Sequence, residues 1–256
     1  MSNLKIHQFN CRDDNFGVLI HDPDAGVTAA IDTPDEVPVR AAIEETGWGL
    51  THIITTHHHF DHVKGNEPLK AEFSCHIIGP EAEADRIPGI DQTVNDGDQF
   101  QFGNHTVAVI STPGHTLGQV NYHFADAGVA FTGDTLFALG CGRIFEGDPD
   151  MMWSSLSKLM QLPEETVIYC GHEYTLSNAR FALTVDPDNE ALQARAAEIE
   201  ALRADGKPTL PTTMAQELKT NPFLRASDPA IRAHLGMEDA TDAQVFAEIR
   251  ARKDKG

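Results

Sequence analysis

The sequence predicts an α/β protein, stacked sheets flanked by helices, with a helical second domain after it. Three observations predict this. Up to about residue 172, short apolar runs rich in β-branched residues alternate with loops and a few helix patterns. After residue 175 no strand signal remains, and the chain turns rich in Ala, Glu, Leu and Arg. The length of 256 residues allows one large domain or two smaller ones. The division falls at residues 1–173 and 174–256.

Residues 1–10 read as the start of a first strand. Phe16–Ile20 and Gly26–Ile31 read as strands paired across an Asp-Pro-Asp turn, and Val37–Thr46 as a helix ended by Gly47. Leu50–Thr55 is a buried strand. His76–Gly79, Thr106–Ile110, Val120–Phe124, Gly128–Thr132 and Thr166–Cys170 continue the β pattern. Asp148-Pro149 opens a helix through Leu162, with Asp as cap and Pro in the first turn. In the second part, Asn189–Ala204 is a helix closed by Gly206, and Asp228-Pro229 opens another. Thr241-x-x-Gln244 is a capping box ahead of a last helix, Asp242 to about Lys253.

Composition narrows the partners. A net charge of −20 argues against nucleic acid, whose phosphates need clustered Lys and Arg, and against anionic membrane surfaces. Residues 249–255 are the exception, with four bases and one acid. Such a patch suits local capture of an anionic ligand, and equally a solvated helix end with its bases near the negative pole; charge alone does not separate the two. No run of about 18 apolar residues occurs. The first residues lack the apolar core of a secretion signal, and four widely spaced cysteines (Cys11, Cys75, Cys141, Cys170) make no Cys-x-x-Cys pair. A reducing, cytoplasmic location is expected, with the cysteines as buried thiols and the protein as a monomer.

The densest chemistry lies in Thr56-His-His-His-Phe-Asp-His62. Where a strand runs out extended, residues two apart share a side, so His57 and His59 can grip one cation. The chain must then turn to carry Asp61 and His62 to a second position. Three further candidates each follow a predicted strand and a glycine: His115, Asp134 and His172. Each alone is weak. Together the seven exceed one tetrahedral ion and suit two divalent cations per chain, zinc, iron or manganese, bound by imidazole and carboxylate. His57, His59 and His115 are assigned to the first, and Asp61, His62 and His172 to the second. Asp134 bridges, because a carboxylate has two oxygens. A water between cations roughly 3.5–4 Å apart loses a proton near neutral pH and becomes the nucleophile. His58 should point the other way and be structural. Asp32 either orients a metal-binding histidine or caps its own turn.

The pattern His57-x-His59-x-Asp61-His62 with His115, Asp134 and His172 resembles the metallo-β-lactamase superfamily, which implies an αββα sandwich. Further segments are similar to glyoxalase II, the hydroxyacylglutathione hydrolases: Thr56–His62, Gly140-Cys-Gly-Arg-Ile-Phe-Glu-Gly147, Gly171-His-Glu-Tyr-Thr175, Asn221-Pro-Phe-Leu-Arg225 and Arg250-x-x-Lys253-Asp254. That resemblance spans essentially the whole chain. It implies hydrolysis of S-D-lactoylglutathione to D-lactate and glutathione, in methylglyoxal detoxification. It also implies that Arg143, Phe145, Tyr174, Arg250 and Lys253 contact the glutathione moiety. Arg250 and Lys253 lie three apart on one helix face and would meet its carboxylates. Arg225 is expected to cap or pair within the second domain. Phe145 and Phe16 stand where family members often carry Tyr; these departures bear on substrate affinity and not on the reaction. A persulfide dioxygenase with one iron, or another hydrolase of the superfamily, is the competing reading.

Overall fold

Three strands precede the first helix, and the second and third are buried along nearly their whole length. The computed structural model describes residues 3–255, and the chain divides into two units. The first holds residues 1–111 and 118–133, the second residues 112–117 and 134–256.

In the first unit, β1 (Lys5–Asn10), β2 (Phe16–Asp22) and β3 (Val27–Ile31) form an antiparallel meander, with Ile6 opposite Ile20 and Ile20 opposite Ala29. Helix α1 (Glu36–Thr46) then crosses over, and β4 (His52–Ile54) lies parallel to β3. Asp35 caps α1 by accepting from the Val37 N–H, and Gly47 ends it in the left-handed region at φ 69°. The short helices α2 (Phe60–Val63) and α3 (Asn66–Phe73) lead to the parallel strands β5 (His76–Pro80) and β6 (Gln92–Val94). A 3-10 turn, Glu81–Arg86, separates those two strands.

One face of this sheet is buried by its own helices. Leu19, Ala30, Ile53 and Ile77 from four strands pack with Val39, Ala42 and Ile43 of α1 and Leu69 of α3. Burying each of the Leu, Ile and Val side chains among them is worth about 1.5–3 kcal/mol. The other face meets a second, antiparallel set: β7 (Gln99–Phe102), β8 (His105–Ser111), β9 (Val120–Phe124) and β10 (Val129–Gly133). Tyr122, fully buried on β9, donates its hydroxyl to the Thr55 carbonyl at 2.6 Å and so ties the two layers together.

The second unit begins with a short hairpin, β11 (Leu136–Phe137) and β12 (Gly140–Cys141). Helix α4 (Pro149–Leu159) follows, capped by Asp148 with Pro149 in the first turn as predicted. It stops short of Leu162, because the N–H groups of Gln161 and Leu162 bond three residues back and Pro163 follows. Then come β13 (Val167–Cys170), α5 (Thr175–Val185), α6 (Glu190–Ala204), β14 (Thr212–Thr213), α7 (Met214–Thr220), α8 (Pro229–Leu235) and α9 (Asp242–Lys255). The expectation of helices alone after residue 175 needs one correction: Thr212 and Thr213 pair antiparallel with Ile168 and Val167. A two-residue strand carries no period to read. The predicted capping box is present. The Thr241 N–H donates to Gln244 Oε1 at 2.9 Å, and the Gln244 N–H to Thr241 Oγ1 at 3.3 Å.

Candidate metal centre

The ends of β3 and β4 carry the first part of the predicted ligand set. Asp32 follows β3 with φ 54°, a left-handed backbone uncommon outside Gly, Asn and Asp. Its Oδ1 accepts from the Thr56 N–H at 2.7 Å, while Oδ2 accepts from the Thr56 hydroxyl and from His62 Nδ1, both at 2.8 Å. Of the two roles the sequence leaves open for Asp32, orienting a histidine is therefore the one present.

Thr56 spends its only proton on Asp32. Its oxygen is therefore an acceptor for His57 Nδ1–H, at 3.0 Å. The two histidines are left with Nε2 as the coordinating atom. His57 Nε2 is turned toward His59 Nδ1, 3.1 Å away, and His62 Nε2 stands 3.7 Å from Asp61 Oδ2. Asn15 fixes Asp61, its amide donating to the backbone carbonyl and to Oδ2 of Asp61 at 3.1 Å each. Ligand-capable atoms of Asp32, His57 and His62 all lie within 4.8 Å of one another, and all three residues are buried.

His58 points away from this set, as its place between two ligands predicts. Its Nδ1 is 2.7 Å from Glu83 Oε2, and its backbone N–H donates to the same oxygen. Glu83 is a buried carboxylate that also accepts from the Gly118 N–H at 2.9 Å. Nothing local marked it: Glu83 lies in an acidic stretch that reads as solvated surface.

The second unit carries His115, Asp134 and His172. Oδ2 of Asp134 lies 3.5 Å from His115 Nε2 and 3.2 Å from His172 Nε2. All three side chains are buried. A backbone carbonyl can only accept, so the 2.8 Å contact from His115 Nδ1 to the Arg143 carbonyl puts the proton on Nδ1 and directs Nε2 at Asp134. Such an outer partner is what metal-binding histidines commonly have. The donor set in each unit thus fits a divalent cation: buried imidazole nitrogens turned to a shared point, with a carboxylate beside them.

The predicted substrate residues are also in the second unit. Tyr174 stacks on His172, ring centroids 4.7 Å apart and planes within 6°. Phe145, 59% exposed, meets the His115 ring edge-on at 5.3 Å. Arg143 is exposed, its Nε 3.4 Å from Asp254 Oδ1. Lys253 donates to the Ser177 hydroxyl and carbonyl and lies 5.2 Å over the Phe181 ring. Tyr174, Ser177, Phe181, Arg252 and Lys253 line one groove of about 760 Å³.

Arg250 differs from the exposed helix-end base that the sequence pattern describes. It is 7% exposed, lies over Phe223, and donates to the Cys141 carbonyl at 3.0 Å and to Asp254 at 2.8 Å. Arg225 pairs with Asp228 and Asp186 within the helical part, as expected. All four cysteines are free and buried, and burial pushes the Cys141 thiol up to about 11 and the Cys170 thiol up to about 12. Thiols held that high are not nucleophiles at neutral pH.

Comparison with known proteins agrees with this arrangement. Residues 23–172 match the family model of the metallo-β-lactamase superfamily, and residues 173–256 that of the hydroxyacylglutathione hydrolase C-terminus. Among solved structures, ETHE1 from Myxococcus xanthus superposes with a TM-score of 0.66 at 24% identity, covering 98% of this chain and 99% of its own. The BLEG-1 B3 metallo-β-lactamase does so with 0.65 at 22%, covering 86% and 99%. These likenesses bear out the α/β sandwich of the metallo-β-lactamase superfamily with a C-terminal helical part. Sequence relatives go further. The hydroxyacylglutathione hydrolase of Rhizobium etli is 64% identical over 99% of both chains, and that of Mesorhizobium japonicum 64% identical over 98% of both. The chain belongs to the hydroxyacylglutathione hydrolase family.

Proposed function

We propose that this protein hydrolyses S-D-lactoylglutathione to D-lactate and glutathione, in methylglyoxal detoxification in the cytoplasm. Asp134 is the observation that carries the reading: a buried carboxylate oxygen with imidazole Nε2 atoms 3.5 and 3.2 Å away, in a protein 64% identical to hydroxyacylglutathione hydrolases. His57, His59 and His115 would hold one divalent cation, Asp61, His62 and His172 a second, and Asp134 both. Zinc is the expected metal, and the same donors accept iron or manganese. Bound there, the cations supply an activated water and polarise the thioester carbonyl.

The chain's own residues prepare that chemistry. Asp32, the Thr56 hydroxyl oxygen and the Arg143 carbonyl accept from the Nδ1–H groups of His62, His57 and His115, which keeps each Nε2 a lone-pair donor. Tyr174 and Phe145, stacked on or against ligand histidines, offer apolar walls to the thioester end of the substrate. Arg143, Arg250 and Lys253 present positive charge to the glutathione carboxylates. One water adds to the carbonyl carbon, the C–S bond breaks, and glutathione leaves as its thiolate. A thiol of pKa about 8.5 needs no side-chain acid to depart.

Two measurements on one preparation test this. Release of free thiol from lactoylglutathione, with no oxygen consumed, is expected, along with close to two metal ions per chain by elemental analysis. Oxygen uptake with a persulfide substrate and no thioester cleavage would replace this reading with the dioxygenase one. Full activity at one ion per chain would remove the two-metal centre.

A further inference from the structure

The segment Asn221-Pro-Phe-Leu-Arg225 is part of the family pattern, yet Asn221 lies far in sequence from every ligand. The structure shows what it holds. The hairpin of β11 and β12 follows Asp134 directly, and its turn residue Leu139 is fully buried at φ 57°, a conformation that leucine rarely adopts. Five of its backbone polar atoms are held by side chains of the helical part. The Asn221 amide donates to the Phe137 carbonyl at 3.2 Å and to the Gly140 carbonyl at 3.0 Å. Asn178 donates to the Ala138 carbonyl at 3.1 Å, and Arg250 to that of Cys141 at 3.0 Å. The Leu139 N–H donates to Glu217 Oε2 at 2.8 Å. Glu217 is fully buried and is fixed in turn by Arg195 and Thr212.

The hairpin's exit touches the ligands. Gly142 donates its N–H to the Thr135 carbonyl, and a Cβ at residue 142 would fall 1.9 Å from the Asp134 carbonyl oxygen and 3.1 Å from His115 Nδ1. The next residue, Arg143, gives its carbonyl to His115 Nδ1. The hairpin's exit is thus tied by one backbone bond to the residue after Asp134 and by the next carbonyl to the His115 ring. Buried hydrogen-bond networks of this kind rigidify the backbone they hold.

We infer that Asn221, Asn178 and Glu217 are positioning residues for the metal centre: by clamping the 136–141 hairpin they set where Asp134 stands and, through the Arg143 carbonyl, which way His115 faces. This rests on the proposed metal centre and adds to it a group of residues that touch neither metal nor substrate.

The test compares Asn221→Ala and Asn178→Ala with Ile231→Ala. Ile231 is a fully buried aliphatic on α8 that makes none of the hairpin's side-chain hydrogen bonds, so its truncation serves as the control for lost stability. The metal-loaded proteins are exposed to a chromophoric chelator, and the rate of metal release is read beside the melting temperature and kcat. In metal sites, losing a group that orients a ligand costs about 10–100-fold in affinity. Folded Asn221→Ala should release metal about 10-fold faster than Ile231→Ala at a matched melting temperature, with a lower kcat. Asn178→Ala, which removes a single bond, should shift in the same direction by less, and it carries the comparison if Asn221→Ala does not fold. Release at the Ile231→Ala rate from both hairpin variants, with wild-type kcat, overturns the inference. Wild-type protein that binds metal but leaves lactoylglutathione intact would instead overturn the proposed substrate, and the release comparison would still stand.

Discussion

His62 gives its Nδ1 proton to Asp32 Oδ2 across 2.8 Å, both side chains buried, and the same carboxylate oxygen accepts the Thr56 hydroxyl. One acid on the end of β3 thus orients a histidine 30 residues further on. Asp32→Ala should keep the fold and lose about 10–100-fold in metal affinity or activity, because the imidazole can then rotate or change tautomer. Asp32→Asn can still accept one bond and should fall between. Metal content after dialysis against a weak chelator is the readout. Wild-type retention in Asp32→Ala would show that packing alone fixes His62.

Asp134→Ala removes the carboxylate that faces both His115 and His172. Turnover should be abolished and metal content lowered, since its Oδ2 is the carboxylate oxygen held 3.5 and 3.2 Å from the two Nε2 atoms. Near-normal activity would mean that the bridging position belongs to another residue. Isothermal titration of apo-protein with zinc, beside the kinetic assay, separates loss of metal from loss of chemistry.

Much of this was legible in the sequence, and the illegible part has a physical pattern. Each element longer than about five residues that was read from periodicity is present, because amphipathic period is a local property. The His57–His62 cluster and the Gly-His and Gly-Asp positions after strands were equally local. Three helices, α3, α5 and α7, went unread for want of a clear apolar stripe; the site residues that escaped depend on partners distant in sequence. Glu83 is buried only because Gly118 and His58 need its oxygens, Asn15 matters because Asp61 lies 46 residues on, and Thr212–Thr213 is a strand only because β13 lies beside it. The burial of Arg250 is of the same kind: its helix reads as a solvated basic end, but the Cys141 carbonyl 109 residues earlier draws it inward.

Asp22 gives a pH dependence unconnected with catalysis. Burial on its own would raise its carboxyl pKa. The N–H groups of Asn104, Ala25 and Asp24 and the Asn104 amide outweigh that and hold it below the ordinary carboxylate value. A lowered folded pKa means stability that is whole above the unfolded value, about 3.9, and is lost as pH falls through the folded one. At pH 7, Asp22→Asn should cost about 1.5–3 kcal/mol through its charge-assisted bonds. The gap to wild type should narrow from pH 5 to pH 2. Urea denaturation across that range checks it, and a gap of constant size would show that the carboxylate's charge contributes nothing.

Lys253 and Arg250, three apart on α9, should fail in different ways when removed. Lys253 faces the groove lined by Tyr174 and Phe181, and burial, then the charge of Arg250, hold its pKa below the ordinary lysine value. Its nearest protein partners are a hydroxyl and a carbonyl, with no carboxylate among the bonds it makes, so it can offer its charge to an anionic ligand. The thioester is remote from such a contact. Ground and transition states then benefit about equally, and the effect falls on KM more than on kcat. Lys253→Ala should lower kcat/KM about 10- to 150-fold, the equivalent of one charge-assisted hydrogen bond of about 1.5–3 kcal/mol. Added salt should weaken substrate binding more in wild type than in this variant. Arg250→Ala also strands the Cys141 carbonyl, leaves Asp254 to Arg143 and removes the cation over Phe223. It should therefore raise KM and lower the melting temperature together, with a stability loss of about 1–3 kcal/mol from the buried acceptor. Steady-state kinetics at two ionic strengths, with a thermal melt of each variant, separates the two roles. If Lys253→Ala keeps both its KM and its salt dependence, the glutathione carboxylates are held elsewhere; if Arg250→Ala melts like wild type, its contacts to the hairpin and α9 hold nothing.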